Sequence, residues 1–86
     1  MLAGRWPMVM LIRTEISYGA LRKECLEALR HWPGCETIAG IQVIRDNTVA
    51  GFSVKITLYG KAEKRIADRA LTYVEREKRR RFCLIA

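Results

Sequence analysis

Histidine, cysteine and proline are scarce in this chain, and each scarcity removes a class of function. A single histidine, His31, stands among 86 residues. Its place beside Trp32 at the end of a helical stretch suits helix-end charge or packing better than general-base work. The three cysteines, Cys25, Cys35 and Cys83, are odd in number and show no CxxC spacing, so neither a disulfide framework nor a structural zinc site is indicated. His31 and Cys35 are four apart, but Pro33-Gly34 lies between them, and a nucleophile or metal site built on this pair would need further groups. No glycine-rich phosphate loop is present. Glu24, Glu27 and Glu36 read as solvated side chains, because nothing in their surroundings would separate their pKa values. Long apolar runs are missing too. The longest, Met8 to Ile12 and Phe82 to Ala86, are too short to span a membrane, and no signal-peptide pattern occurs. These absences lead us to expect a cytoplasmic protein with reduced thiols, no metal or cofactor, and a non-enzymatic role.

What is present is charge and pattern. Half the residues are apolar and 29% are charged, a balance that folds rather than stays disordered. The length allows one small domain, 8–86, preceded by a loose tail at 1–7 that ends in Pro7, or by an upstream extension if Met8 or Met10 is the true start. So small a core is marginal, which makes a homodimer through the apolar terminal segments plausible on stability grounds.

Period identifies the elements. Ser17 can cap a helix whose apolar side is Tyr18, Leu21, Cys25, Ala28, Leu29 and Trp32. Lys23 and Glu27 can pair across one turn of it, and Pro33-Gly34 ends it. From Ile41 to Gly60 the pattern is that of a hairpin. Phe52, Val54, Ile56 and Leu58 alternate with Ser53, Lys55, Thr57 and Tyr59. A two-residue turn at Asp46-Asn47 would set Ile41 opposite Phe52 and Val43 opposite Ala50, with Gly51 marking a bulge. The far face would then show Gln42, Ile44, Ser53, Lys55, Thr57 and Tyr59. After Gly60 a second helix begins, with Ile66, Ala67, Ala70, Leu71 and Val74 in one arc. Because Glu77, Lys78 and Arg81 rotate into that arc, its buried part should end near Arg76.

If the runs at 8–12 and 82–86 are strands, the order is β-α-β-β-α-β. That predicts an α+β two-layer sandwich of ferredoxin-like order, with two helices on one face of an antiparallel sheet. Without those strands the fold shrinks to α-β-β-α, its sheet completed by a dimer partner.

The net charge is +7. Residues 61–81 hold nine Lys and Arg against Glu63, Asp68, Glu75 and Glu77. Lys61, Arg65, Arg69 and Arg76 form one stripe away from the apolar arc, and Lys78, Arg79, Arg80 and Arg81 prolong it. Such a stripe can follow a phosphate backbone, with Arg45, Lys55 and Tyr59 as a second contact surface on or beside the sheet. The bland alternative is a solvated face with pairs such as Glu75–Arg79 and cations that favour the negative end of the helix dipole. The leading expectation is a module that binds a polyanion, RNA before DNA. Its competitors are an assembly protein whose charge only keeps it soluble, and a small-molecule sensor or enzyme with a pocket lined by Ile44, Lys55 and Tyr59.

Gly51-Phe52-Ser53-Val54, with this order of elements, resembles part of the aromatic strand signature of RNA-recognition-motif domains, which implies RNA as a ligand. Val54-Lys55-Ile56-Thr57-Leu58-Tyr59-Gly60 is similar to a stretch of BON domains, membrane-associated modules of bacterial envelopes. Here basic residues stand where the Gly-Val of that family follows its second helix.

Overall fold

The computed structural model describes residues 13–85. The tail expected at 1–7, the choice of start and the strand expected at Met8 to Ile12 lie outside the described residues. Strand β1 (Thr14–Ile16) leads into helix α1 (Tyr18–Arg30). Strands β2 (Gly40–Arg45) and β3 (Phe52–Leu58) follow, then helix α2 (Lys64–Arg81) and strand β4 (Phe82–Leu84). The fold is α+β, two helices with four strands in small sheets. β2 and β3 pair antiparallel, and β1 and β4 pair parallel with Thr14 opposite Phe82.

Helix α1 begins where its cap allows. Ser17 is extended, and its side-chain oxygen accepts from the Ala20 amide at 3.3 Å, satisfying one of the donors that a helix start leaves open. Leu21, Cys25 and Leu29 are its buried residues, while Tyr18 is exposed. The helix gives way at His31, and Gly34 takes a φ of +85°.

The hairpin faces are as the alternation requires, but its register is not. Ile41 lies opposite Ile56 and Val43 opposite Val54, in place of the expected Phe52 and Ala50. A two-residue turn on Asp46-Asn47 would force positive φ on two non-glycine residues. Instead, the Asp46 carboxylate accepts from the Thr48 amide at 3.0 Å and from its hydroxyl at 2.6 Å, an Asx-type turn. The positive φ falls on Gly51, at +85°, whose amide donates to the Thr48 carbonyl at 3.0 Å. The slip is an even number of residues, so the side chains from Ile41 to Arg45 and from Phe52 to Ile56 keep their faces. Ile41, Val43, Phe52, Val54 and Ile56 are all buried. Leu58 departs from the alternation and is 60% exposed, next to a register irregularity at Gly40/Ile41.

Both helices cover the buried face of the hairpin and touch each other. Arg22 and Arg30 of α1 donate to the carbonyls of Ile41 and Ile38. From α2, Glu75 accepts the Val54 amide at 2.6 Å, so backbone groups beside the hairpin are met by helix side chains and the strand edge is blunted. Phe52, Leu21, Leu29 and Ile38 are the largest fully buried side chains. Phe52 thus fills the centre of the core, on the face where the alternation puts it, and is closed to a stacking base.

Helix α2 stays buried further than its composition implies. Ala67, Ala70 and Val74 are joined in the core by Lys78, 5% exposed, whose ammonium lies 3.3 Å from the Glu24 carboxylate on α1. Spacings of three and four carry position 78 onto the buried arc, and a partner charge on the facing helix lets a lysine occupy it. The buried part therefore does not end near Arg76. The α2 helix changes directly into β4: Phe82 is extended, and its amide still donates to the Lys78 carbonyl. Arg13 Nε donates to the Arg79 carbonyl at 2.6 Å, meeting another open group of the last turn.

Candidate polyanion interface

At about 100° per residue, the arc of α2 opposite Ala67, Ala70 and Val74 carries Arg65, Arg69, Thr72 and Arg76. Tyr73 and Arg80 lie along one border of this arc and Arg79 along the other. Arg65, Arg69, Arg76 and Arg80 are all exposed, as the stripe requires. Lys61 is exposed at the turn before the helix, its amide donating to Thr37 Oγ1 at 2.8 Å. Arg81 is exposed, with its guanidinium 5.2 Å from the centre of the Phe82 ring. Lys78 does not belong to this surface, because it points into the core toward Glu24.

Pairing neutralises only part of the stripe. Arg79 lies 3.8 Å from Glu75, as the i,i+4 spacing predicts, Arg65 lies 3.7 Å from Glu63, and Lys64 lies 3.0 Å from Asp68. Among the described residues no carboxylate oxygen comes within 4.0 Å of Lys61, Arg69, Arg76, Arg80 or Arg81, and the expected Lys23–Glu27 pair is not made. The unpaired charge is concentrated toward the C-terminal half of α2.

Two open grooves flank that half. One, of about 390 Å³, is lined by Arg13, Thr72, Glu75, Arg76, Arg79 and Arg80. The other, of about 590 Å³, lies between the end of α1 and α2 and includes His31, Trp32, Tyr73, Arg76, Glu77 and Arg80. Arg76 and Arg80 line both, forming a ridge between them. In the second groove Trp32 and Tyr73 stack with ring centres 5.4 Å apart at 23°, and the Arg76 guanidinium stands 6.0 Å from the Tyr73 ring. His31 Nδ1 donates to the Glu27 carbonyl at 2.7 Å. Arg13, Trp32 and Tyr73 were not legible as site residues. The first adjoins a strand without an apolar signature, and the other two meet only once the helices are packed.

The sheet contributes less than its sequence promises. Lys55 is exposed on the far face, paired with Gln42 across the ladder. Arg45 donates from Nη1 to the Ile85 carbonyl at 3.3 Å. Tyr59 lies past the end of β3, so alternation no longer governs it. Its hydroxyl donates to Asp68 of α2 at 2.7 Å, on the helix side of the hairpin and away from Lys55. The pocket that Ile44, Lys55 and Tyr59 were to line is therefore not formed, and these residues do not join the α2 stripe.

The Tyr59 hydroxyl, and after it Lys64, hold the Asp68 carboxyl below its ordinary range, and the same hydrogen bond raises the Tyr59 phenol. A depressed carboxyl stabilises the fold above its unfolded-state pKa of about 4, and that contribution is lost as pH falls through the folded value. Tyr59→Phe is accordingly expected to destabilise the protein at pH 7 and to converge with wild type in acid, measured by urea unfolding across pH. A gap that stays constant down to pH 2 would assign the effect to packing.

The thiols offer no activated nucleophile in the core. Burial pushes Cys25 up to about 11, against a smaller opposite pull from Lys78, and burial followed by the nearby Glu36 charge raises Cys35. Brief treatment with N-ethylmaleimide is expected to label half-buried Cys83 in the folded protein, and Cys25 and Cys35 only after unfolding, as read by mass spectrometry. Labelling of Cys25 at the rate of Cys83 would contradict this core. Among the described residues no cluster of three His, Cys, Asp or Glu side chains is placed to hold a metal ion, and no helix is long and apolar enough to cross a membrane. No protein-family model matches the chain, and neither a curated protein nor a solved structure matches it.

Proposed function

We propose that this chain is a small, non-enzymatic intracellular module that binds a polyanion, RNA before DNA, through the exposed arginines of α2. The observation that carries this reading is the ridge of Arg76 and Arg80, which no carboxylate neutralises among the described residues and which Arg13 and Arg79 flank in one groove. Cations converging on a groove can replace the counterions of successive phosphates, and each release makes affinity fall with salt. The test is a titration of the whole chain against single- and double-stranded RNA at 50 and 200 mM salt, roughly the range over which phosphate contacts are strongly attenuated. Absence of binding at low salt, or affinity indifferent to salt, would overturn the reading.

The grouping of elements proposed with it is a two-layer sandwich of ferredoxin-like order with one parallel strand pair. Its support is the helices' common position on the hairpin and the bond from the Leu84 amide to the Ala50 carbonyl at 3.1 Å, which joins the two pairs. A competing reading, self-assembly, is favoured by Ile44 and Leu58, exposed on the hairpin at 39% and 60%. Light scattering distinguishes it: a strict monomer at all concentrations would count against assembly.

A further inference from the structure

Resting on the polyanion reading, we infer that the groove between the end of α1 and α2 is a stacking subsite for an unpaired nucleobase, so that the chain selects single-stranded over duplex RNA. A phosphate-binding face alone would not favour the single strand, since a duplex carries its phosphates at higher density. The groove adds what a backbone cannot use. Trp32 is half-buried against the core and holds Tyr73, itself 53% exposed, in a stack. The rings are therefore ordered before any ligand arrives, which lowers the entropic cost of binding. The Arg76 guanidinium lies over the Tyr73 ring at 6.0 Å; an unpaired base extends the stack by entering between the two, the guanidinium shifting onto its outer face, a geometry that combines aromatic and cationic attraction. In a duplex the base faces are covered by their neighbours, so the same rings have nothing to engage.

The two grooves divide the work by chemistry. Arg76 and Arg80 are one turn apart, about 6 Å along the axis, and each lines both grooves. A strand lying along this ridge has its phosphates toward Arg13, Arg79 and the ridge itself, and a base turned to the opposite side onto Tyr73. The groove volume of about 590 Å³ admits a base with its sugar, within the range of small-ligand clefts. Each groove has one glutamate in its lining, Glu77 here and Glu75 in the other, but Arg13 and Arg79 line only the other, so this side is the less attractive to a phosphate and is left to the uncharged base.

The experiment compares three probes of equal length at low salt: an oligoadenylate, the same backbone without bases, and an RNA duplex. The wild-type chain is expected to bind the oligoadenylate about tenfold more tightly than the abasic strand, the order expected for one stacked base. Tyr73→Ala, a change on an exposed helix position, should bring the ratio of oligoadenylate to abasic affinity close to one, whereas Tyr73→Phe should keep the wild-type ratio. Trp32→Phe gives a second check in which the platform is weakened without being deleted. Equal affinity for oligoadenylate and abasic strand in the wild type overturns the stacking subsite and leaves the polyanion reading standing. Failure to bind any of the three overturns both.

Discussion

Phe52→Ala is expected to lower the melting temperature by roughly 20 °C, because a buried phenylalanine lost from a core costs about 3–5 kcal/mol and each kcal/mol moves a domain of this size by about 4–8 °C. Phe52 has no exposed surface and is the largest fully buried side chain. It stands on β3 where both helices close over the hairpin, so the void left by alanine has neighbours on every side and little freedom to collapse. Total stability of about 4–13 kcal/mol is typical at this length, so the variant would be near the edge of folding at 37 °C. Phe52→Leu should recover much of the loss. The same pair separates two roles for this residue. If Phe52 stacked on RNA, Phe52→Leu would lose affinity; its burial calls for affinity kept by Phe52→Leu, with a stability loss smaller than that of Phe52→Ala. Thermal unfolding by circular dichroism, with an RNA titration of Phe52→Leu, reads both. A shift under about 5 °C for Phe52→Ala would mean that the core is not closed around this ring.

The second large effect is expected on binding. Arg76→Glu combined with Arg80→Glu places two negative charges on the ridge that both grooves share. RNA affinity at low salt should fall at least about a hundredfold, and the slope of log K against log salt should flatten by about 1.4, from two lost phosphate contacts on a single strand. Both side chains are exposed, so the core is untouched, and only the few degrees expected from glutamates near the C-terminal end of a helix should be lost in melting temperature. Lys78→Met is the informative contrast. It removes a positive charge from the same basic run, but that charge lies in the core against Glu24. The salt slope should stay as in wild type while stability changes, since replacing a buried charge by an apolar chain alters desolvation and pairing together. A flattened slope for Lys78→Met would return that lysine to the surface, and an unaffected slope for the arginine pair would remove the ridge from the binding site.

Lys78 also shows where a sequence stops speaking. Its position on the buried arc follows from helical spacing alone, yet whether a lysine there ends the buried stretch or enters the core depends on Glu24, more than fifty residues away in sequence. Properties set by neighbours along the chain were readable: the Ser17 cap, the Pro33-Gly34 stop, the two faces of the hairpin and the outward arginines of α2. The hairpin register was not, because Asp46, Thr48 and Gly51 offer an Asx turn that competes with the shorter one, and alternation cannot choose between registers that differ by an even number. Strand β1 was missed for a related reason. Thr14, Glu15 and Ile16 carry too few apolar residues to show a period, and the strand exists through its pairing with β4. Trp32 and Tyr73 were visible only as one apolar-side residue and one border residue until the packing of α1 on α2 brought their rings together.

The pairing of β1 with β4 fastens the two ends of the described chain to each other, with Arg13 and Arg79 bonded across 66 residues. Loop-closure entropy grows only with the logarithm of length, so fastening so long a span costs about 1.2 kcal/mol more than fastening one a quarter as long. The weakness of this clasp lies elsewhere, in strands of three residues each that hold by a handful of bonds. It is the unit with least to lose by opening on its own while the hairpin and helices stay folded. Arg13 is among the residues that line the arginine groove, so opening of the clasp would take that arginine away from the groove, and a bound phosphate that touched it would favour the closed clasp.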